Sequence, residues 1–180
     1  MKGYLIDIWD DFDPVYQRIR RFSTITSKDN IPVFRVHVNK YRGPEQVLSD
    51  GSIITKGDYL VRIHLHNIRL LQHLSLIKSK TRRTMMLYQM VSEALPAIAN
   101  YIRNHQLHDQ IKAIWGVTML NKLVGRLGFD TKPIPNLYYR LLKYSSQIPI
   151  HILSTGSFSS IFEKRKVSYL FMSKDRLLKT

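Results

Sequence analysis

The sequence predicts an α+β fold: a single domain over residues 1–180, with a small mixed sheet flanked by helices, an N-terminal helix and one long central helix. Two alternating runs and one apolar stripe predict it. In residues 33–39, Phe34, Val36 and Val38 point one way and Arg35, His37 and Asn39 the other. In residues 59–67, which follow the turn residues Lys56-Gly57-Asp58, Val61, Ile63 and Leu65 oppose Arg62, His64 and His66. Alternation with period two marks a strand with one apolar and one polar face. Between Thr81 and His105, Met86, Leu87, Met90, Val91, Leu95, Ile98 and Ile102 recur at three- and four-residue steps, the buried stripe of a helix. A chain of 180 residues with 44% hydrophobic and 23% charged side chains is large and apolar enough to bury one core.

The elements follow in order. Asp13-Pro14 suits an N-cap followed by proline at the first helical position. Within residues 4–22, a helix from Pro14 places Val15, Ile19 and Phe22 on one face and turns Arg18, Arg20 and Arg21 mostly outward. Residues 26–32 form a polar loop ahead of the 33–41 strand. Gly43-Pro44 and Asp50-Gly51 are turn signals, the second leading into a short Ser52-Ile53-Ile54 strand. Only loop signals separate the 33–41 and 59–67 strands, so the two are expected to be neighbours near the centre of the sheet. Residues 68–76 are Leu-rich and helical or irregular, and residues 78–83 hold the densest basic cluster, Lys78, Lys80, Arg82 and Arg83. Pro96 predicts a kink or local break in the long helix. Residues 111–117 form a strand, and a helix over 118–127 is ended by Gly128. Residues 129–134 are extended; Pro135 then starts a helix over 136–147, with Leu137, Leu141, Leu142 and Tyr144 apolar, which Pro149 closes. Ser154-Thr155-Gly156-Ser157 is a loop. The tail, 167–178, carries Tyr169-Leu170-Phe171-Met172, and Ser173 is placed to cap a last short turn over 174–178. The chain has no internal repeat and no low-complexity segment.

Charge is the strongest global signal. The net charge is +15, and since residues 1–13 carry −3, the remainder carries +18. A field of that sign draws polyanions such as nucleic acid, anionic lipid or phosphate-bearing polymers. The basic residues are scattered, with no run of four Lys/Arg. With no cysteine, disulfides, thiolate metal sites and a Cys nucleophile are excluded. No apolar run approaches the ~20 residues needed to cross a bilayer, and the acidic stretch Asp10, Asp11, Asp13 makes the N-terminus a poor secretory signal. The expectation is a cytoplasmic protein, able to touch the membrane from inside.

Three segments carry a family likeness: Gly57-Asp58 through His64-Leu65-His66-Asn67; Ile111-Lys112-Ala113-Ile114-Trp115-Gly116-Val117-Thr118 through Arg126-Leu127-Gly128-Phe129; and Tyr169-Leu170-Phe171-Met172-Ser173. In that order they resemble the YkoP-like family of Firmicutes, over about residues 33–178. That domain is found alone and as a C-terminal extension of polysaccharide deacetylases. The resemblance implies a binding or accessory role near cell-envelope glycans. It implies no deacetylase activity here, since the chain has no room for that catalytic domain and no sign of its Asp/His metal motif.

If the 33–41 and 59–67 strands pair, Arg35, His37, Asn39, Arg62, His64 and His66 share one face. Two histidines two residues apart on a strand point the same way, so His37, His64 and His66 form a candidate zinc set. Arg35 and Arg62 on the same face would repel a cation, and they suit phosphate or carboxylate instead. The expected ligand surface is therefore Arg35, His37, Arg62, His64 and Asn67, facing an anionic or polar ligand: a glycan, a phosphate-bearing polymer or a lipid surface. No metal and no cofactor are expected. Spacing sets up no Ser-His-Asp or paired-carboxylate arrangement, so no catalytic residue is named and the reading favours a binding or accessory protein over an enzyme.

Two alternatives stand beside it. The order strand, long helix, strand, helix, Gly-Phe, strand over residues 59–134 resembles the second half of the GNAT acetyltransferases. Those enzymes need a Gly-rich turn to meet the acyl-CoA pyrophosphate, whereas Lys80-Thr81-Arg82-Arg83-Thr84 has no glycine. A related fold with or without activity is the enzyme alternative. A basic protein that binds nucleic acid or an anionic membrane surface is the other. Tyr138, Tyr139, Arg140, Lys143 and Tyr144 mix bases and aromatics on one helix, which can stack on single strands, and helices with basic and aromatic faces can lie on anionic lipid. No recognised nucleic-acid motif is present, and this alternative is not favoured.

Overall fold

The structure, a computed structural model, describes residues 22–118, 121–134 and 167–180. In chain order its elements are strands β1 (Ser23–Thr26), β2 (Pro32–Lys40), β3 (Gln46–Val47), β4 (Ile53–Ile54) and β5 (Tyr59–Leu65), then helices α1 (Asn67–Ser75) and α2 (Lys80–Arg103). Strand β6 (Ile111–Thr118), helix α3 (Asn121–Arg126), strands β7 (Asp130–Pro133) and β8 (Ser168–Ser173) and helix α4 (Lys174–Leu177) follow. The class is α+β, as expected. Most strands form one mixed sheet in the order β1-β2-β5-β6-β8-β7, and β3 and β4 form a small ribbon of their own. The expected N-terminal helix, the 136–147 helix and the 154–157 loop lie outside the described residues.

Strands β2 and β5 are antiparallel neighbours, with Arg35 opposite His64 and His37 opposite Arg62. Among the described residues, the one parallel pair in the sheet is β5 with β6, bridged by α1 and α2. Phe34, Val36, Val61 and Ile63 turn to the helical side, where they pack with Met90, Val91, Ala94, Ile98 and Ile102 of α2 in the main core. On the other side the β3–β4 ribbon covers one end of the sheet: Leu48 and Ile54 close over Leu60, Ala113, Trp115 and Phe171, with Tyr41 beside them.

Several details differ from the sequence expectation or fill in what it leaves unassigned. Helix α2 runs through Pro96 without the local break, one of the two expectations there. The proline stands on the exposed side, where the carbonyl it leaves without an N–H partner has solvent as the alternative. Strand β5 ends at Leu65, and Asn67 opens α1 instead of closing the strand. Residues 23–26, expected to follow a helix directly, form strand β1, whose β-branched Thr24, Ile25 and Thr26 suit a pleated edge. Thr118 is the last residue of β6, not the start of a helix. The apolar run of the tail is β8, an interior strand paired on both sides. Gly128 does end α3: its φ is +85°, the Phe129 N–H reaches the Val124 carbonyl at 3.1 Å and the Gly128 N–H the Gly125 carbonyl at 3.1 Å, two bonds of a Schellman motif.

The loops are pinned by carboxylates. Asp58 accepts from the Thr55 N–H at 2.7 Å and the Thr55 hydroxyl at 3.1 Å, and pairs with Lys112 at 3.0 Å. Burial pushes its carboxyl pKa up, but the Thr55 and Lys112 bonds outweigh that and hold it below its ordinary value. Asp50 is lowered too, first by the hydrogen bond from Ser173, against a smaller effect of burial. Carboxyls depressed in the fold contribute stability that is complete above the ordinary aspartate range, near pH 4, and lost as pH falls through their folded values. Urea unfolding at pH 7 and pH 3 is expected to show a smaller acid loss for Asp58→Asn than for the parent chain. Equal losses would take Asp58 out of the account.

Candidate functional site

The polar face of β2 and β5 carries the residues the sequence singled out, and their register makes cations and imidazoles alternate across the strands. The His37 and His64 rings stack at 5.9 Å with planes 9° apart, and Phe22 stands edge-on to both, at 4.7 and 5.7 Å. Farther along the same face, the Arg35 guanidinium lies 2.8 Å from Nε2 of His66, a side chain only 8% exposed. A guanidinium only donates, so His66 accepts through Nε2 and, if neutral, carries its proton on Nδ1.

Arg62 is placed differently. Its guanidinium sits over the Trp115 ring, 5.0 Å from the centroid, because β5 and β6 set the two residues opposite each other. The Arg62 Nε–H is buried and meets no hydrogen-bond acceptor among the described residues. Trp115 is itself fixed: its indole N–H donates to Asn39 Oδ1 at 3.2 Å, and Tyr41 meets its ring edge-on at 5.9 Å. Tyr41 in turn donates to the Pro44 carbonyl at 3.0 Å, and burial raises its hydroxyl pKa above the ordinary value, against a smaller lowering by Gln46.

These residues surround a cavity of about 520 Å³ open to solvent on one side. His37, Asn39, Arg62 and Trp115 line it from the sheet, Tyr169 of β8 adds a second aromatic wall, and Lys40 and Arg42 bring two further cations. Among the described residues, no carboxylate lines it. Three permanent positive charges with no negative one among the described lining residues favour anions, and arginine adds directional donors to the bare charge. Among the described residues, no three His, Asp or Glu side chains are grouped to hold a metal ion.

Of the expected surface, His37 and Arg62 line the cavity, while Arg35 and His64 continue the same face beyond it. Asn67 is the first residue of α1, past the end of the strand. Lys40, Tyr41, Arg42, Trp115 and Tyr169 were missed. Trp115 and Tyr169 arrive from strands whose neighbours cannot be read locally, and Lys40-Tyr41-Arg42 looks like the tail of a strand.

A protein-family model, the YkoP domain, matches residues 2–180. The chain belongs to the YkoP family. The match extends beyond the 33–178 stretch that carries the likeness in the sequence. A Bacillus subtilis (strain 168) relative, "Uncharacterized protein YkoP", is 44% identical over 180 residues, covering 100% of this chain and 97% of that one. The structure described here is therefore a view of the YkoP domain itself. No solved structure matches it.

Proposed function

We propose that this YkoP domain is a non-catalytic binding protein whose cavity takes an anionic, polar ligand, and that its role is accessory to cell-envelope polysaccharide metabolism. One observation carries the first part: among the described residues, Arg62, held on Trp115, brings a buried donor without a partner to a pocket lined by cations and by no carboxylate. A buried donor left unmatched is costly, and a carboxylate or phosphate oxygen of a ligand removes that cost. Lys40 and Arg42 are positioned for a second negative group. The polysaccharide link rests on the resemblance to domains appended to polysaccharide deacetylases.

A second reading is favoured by a separate observation. Pairing of the parallel strands β5 and β6 runs from Tyr59/Ile111 to Arg62/Trp115, short of the strand ends at Leu65 and Thr118. Ligands of open sheets containing parallel strands sit beyond the carboxyl ends of those strands, and the order β5, helices, β6, α3, β7 is that of the acetyltransferase half-fold. An acyltransferase-type protein would use this gap and bind acyl-CoA.

Melting in the presence of an oligo-uronate, a poly(glycerol phosphate), a neutral chito-oligosaccharide, zinc and acetyl-CoA separates the readings. A specific ligand at ~100 times its Kd adds about 2.7 kcal/mol, a rise of roughly 5–10 °C for a chain of this size. The expected result is a rise with an anionic polymer and none with the neutral one. The Arg62→Ala/His64→Ala double variant, checked for folding by circular dichroism, is expected to lose it. An unchanged rise in that variant overturns the site, and a rise with acetyl-CoA alone favours the second reading.

A further inference from the structure

Helix α2 is longer than the sheet it packs on. Its 24 residues span about 36 Å, whereas the eight residues of β6 span about 26 Å. The C-terminal end of α2 is tied to the start of β6 by a short connection, so the surplus falls at the N-terminal end. Burial agrees: from Thr81 to Met86 no side chain is buried, and Leu87 is the first that is. The overhanging turns are not polar. Leu76, in the link before the helix, is 84% exposed, Met85 is 67% exposed, and Met86 and Tyr88 are exposed beside it.

The charged residues of this stretch of sequence have one sign. Between Asn67 and Ser92 there are five Lys/Arg and no Asp or Glu. The first turn of α2 has no acidic residue and contains Arg82 and Arg83, although the positive end of a helix dipole disfavours cations. Ser79 caps the helix, accepting from the Arg82 N–H at 3.4 Å, and Arg83 donates to the Lys78 carbonyl at 3.1 Å, which ties the basic link to the helix. Arg82, Met85 and Met86 are three and four residues apart and share one side of the helix. A chain that sets cations against a dipole and leaves leucine and methionine in water has arranged these turns for something other than its own stability.

We propose that this overhang, from Leu76 to Tyr88, docks on an anionic lipid bilayer: Lys78 and Arg82 meet the headgroups, and Leu76, Met85 and Met86 enter the headgroup–acyl boundary. Charge complementarity selects an anionic partner, and the exposed apolar side chains decide which one. A bilayer gains from burying them, whereas a nucleic-acid backbone offers them nothing and is met by cations alone. No helix among the described residues is long and apolar enough to cross a membrane, so the contact is superficial. The surface lies on α2 and its link, apart from the cavity residues on the opposite face of the sheet.

Flotation of the full chain with phosphatidylcholine vesicles, with and without phosphatidylglycerol, tests it. Binding is expected only to the anionic vesicles and is weakened by salt. Two exposed, fold-neutral variants, Leu76→Ser/Met85→Ser and Lys78→Gln/Arg82→Gln, are each expected to lower partitioning roughly tenfold or more. Absence of binding to the anionic vesicles overturns the proposal. So does binding that survives Leu76→Ser/Met85→Ser, and so does tighter binding to a DNA duplex that depends on Lys78 and Arg82 alone.

Discussion

Gly116→Ala is expected to lower the melting temperature of the chain, and Gly125→Ala to raise it. Both glycines are interior to regular elements, β6 and α3, and the same methyl group is added at each. At Gly116 a Cβ would stand 2.8 Å from the Ile63 carbonyl oxygen on the neighbouring parallel strand and 3.2 Å from Ile63 Cγ1. The obstacle is backbone, so relief requires β5 and β6 to move apart. Overpacking of this kind costs about 1–3 kcal/mol, or roughly 2–4 °C per kcal/mol in a chain of this length; Gly116→Val is expected to cost more. Nothing lies within 4 Å of a Cβ at Gly125. There alanine improves helix propensity by up to about 1 kcal/mol. Thermal and urea unfolding of the two variants decide the matter, and a Gly116→Ala chain as stable as its parent would falsify the close-approach argument. Because Gly116 follows Trp115, the same variant is expected to disturb the support beneath Arg62.

The second large effect is at Arg176. This residue of α4 donates to the Gly128 carbonyl at 2.8 Å and the Ser49 hydroxyl at 2.9 Å, and lies 3.7 Å from Asp130 and 3.9 Å from Asp50. Asp130 accepts from the Ser49 N–H at 3.0 Å, and Asp50 accepts from the Ser173 hydroxyl. One guanidinium therefore joins the β3–β4 ribbon, the end of α3, strand β7 and the C-terminal helix. Arg176→Met keeps most of the apolar stem, removes the donors and leaves two carboxylates near each other. The side chain is 30% exposed, so solvent weakens the ionic part, and a loss of about 2 kcal/mol is expected, mostly from the hydrogen bonds. Arg176→Lys is expected to recover little, since a single ammonium cannot reach Gly128 and Ser49 as the fork does. In a double-mutant cycle with Asp130→Asn, additive losses would show that the network is not coupled.

The parts of the fold that were legible in the sequence are those whose signal is local. Strands β2 and β5 announce themselves by alternation, and their adjacency by the turn residues between them; the shared face of Arg35, His37, Arg62 and His64 follows. The stripe of α2 and the glycine that ends α3 were legible for the same reason. What failed or stayed unassigned depends on neighbours distant in sequence. Tyr169-Leu170-Phe171-Met172 is apolar at every position because β8 is covered on both faces, and a run without alternation carries no strand period. Ser23-Thr24-Ile25 gets no assignment from the sequence and Thr26 reads as part of the polar loop, because so short a run reads as a strand only once β2 is there to pair with it. Asn67 was assigned to a strand because His66-Asn67 extends the alternation by one step, whereas the chain turns into α1 at that point. The cavity was half legible: His37 and Arg62 lie on the two readable strands, but Lys40 and Arg42 stand at and beyond the end of β2, and the aromatic wall depends on β6 standing beside β5 and β8 beside β6.

The position of β8 bears on how the chain can be assembled. Among the described strands it is the last in sequence, yet it is inserted between β6 and β7, and β7 has no other described neighbour in the sheet. Until synthesis has passed Ser173, the edge of β6 that ends in Trp115 and Thr118 and residues 130–133 therefore lack the strand they pair with in the finished fold. Phe171 and Met172, both fully buried in the finished fold, arrive together with the strand that closes it. A nascent chain that stops short of β8 lacks the strand that covers this edge of β6 in the described sheet, and an uncovered apolar edge is the kind of surface that recruits other strands. Completion of this sheet is thus a late event on the ribosome, and truncations before residue 168 are expected to be aggregation-prone rather than merely less stable.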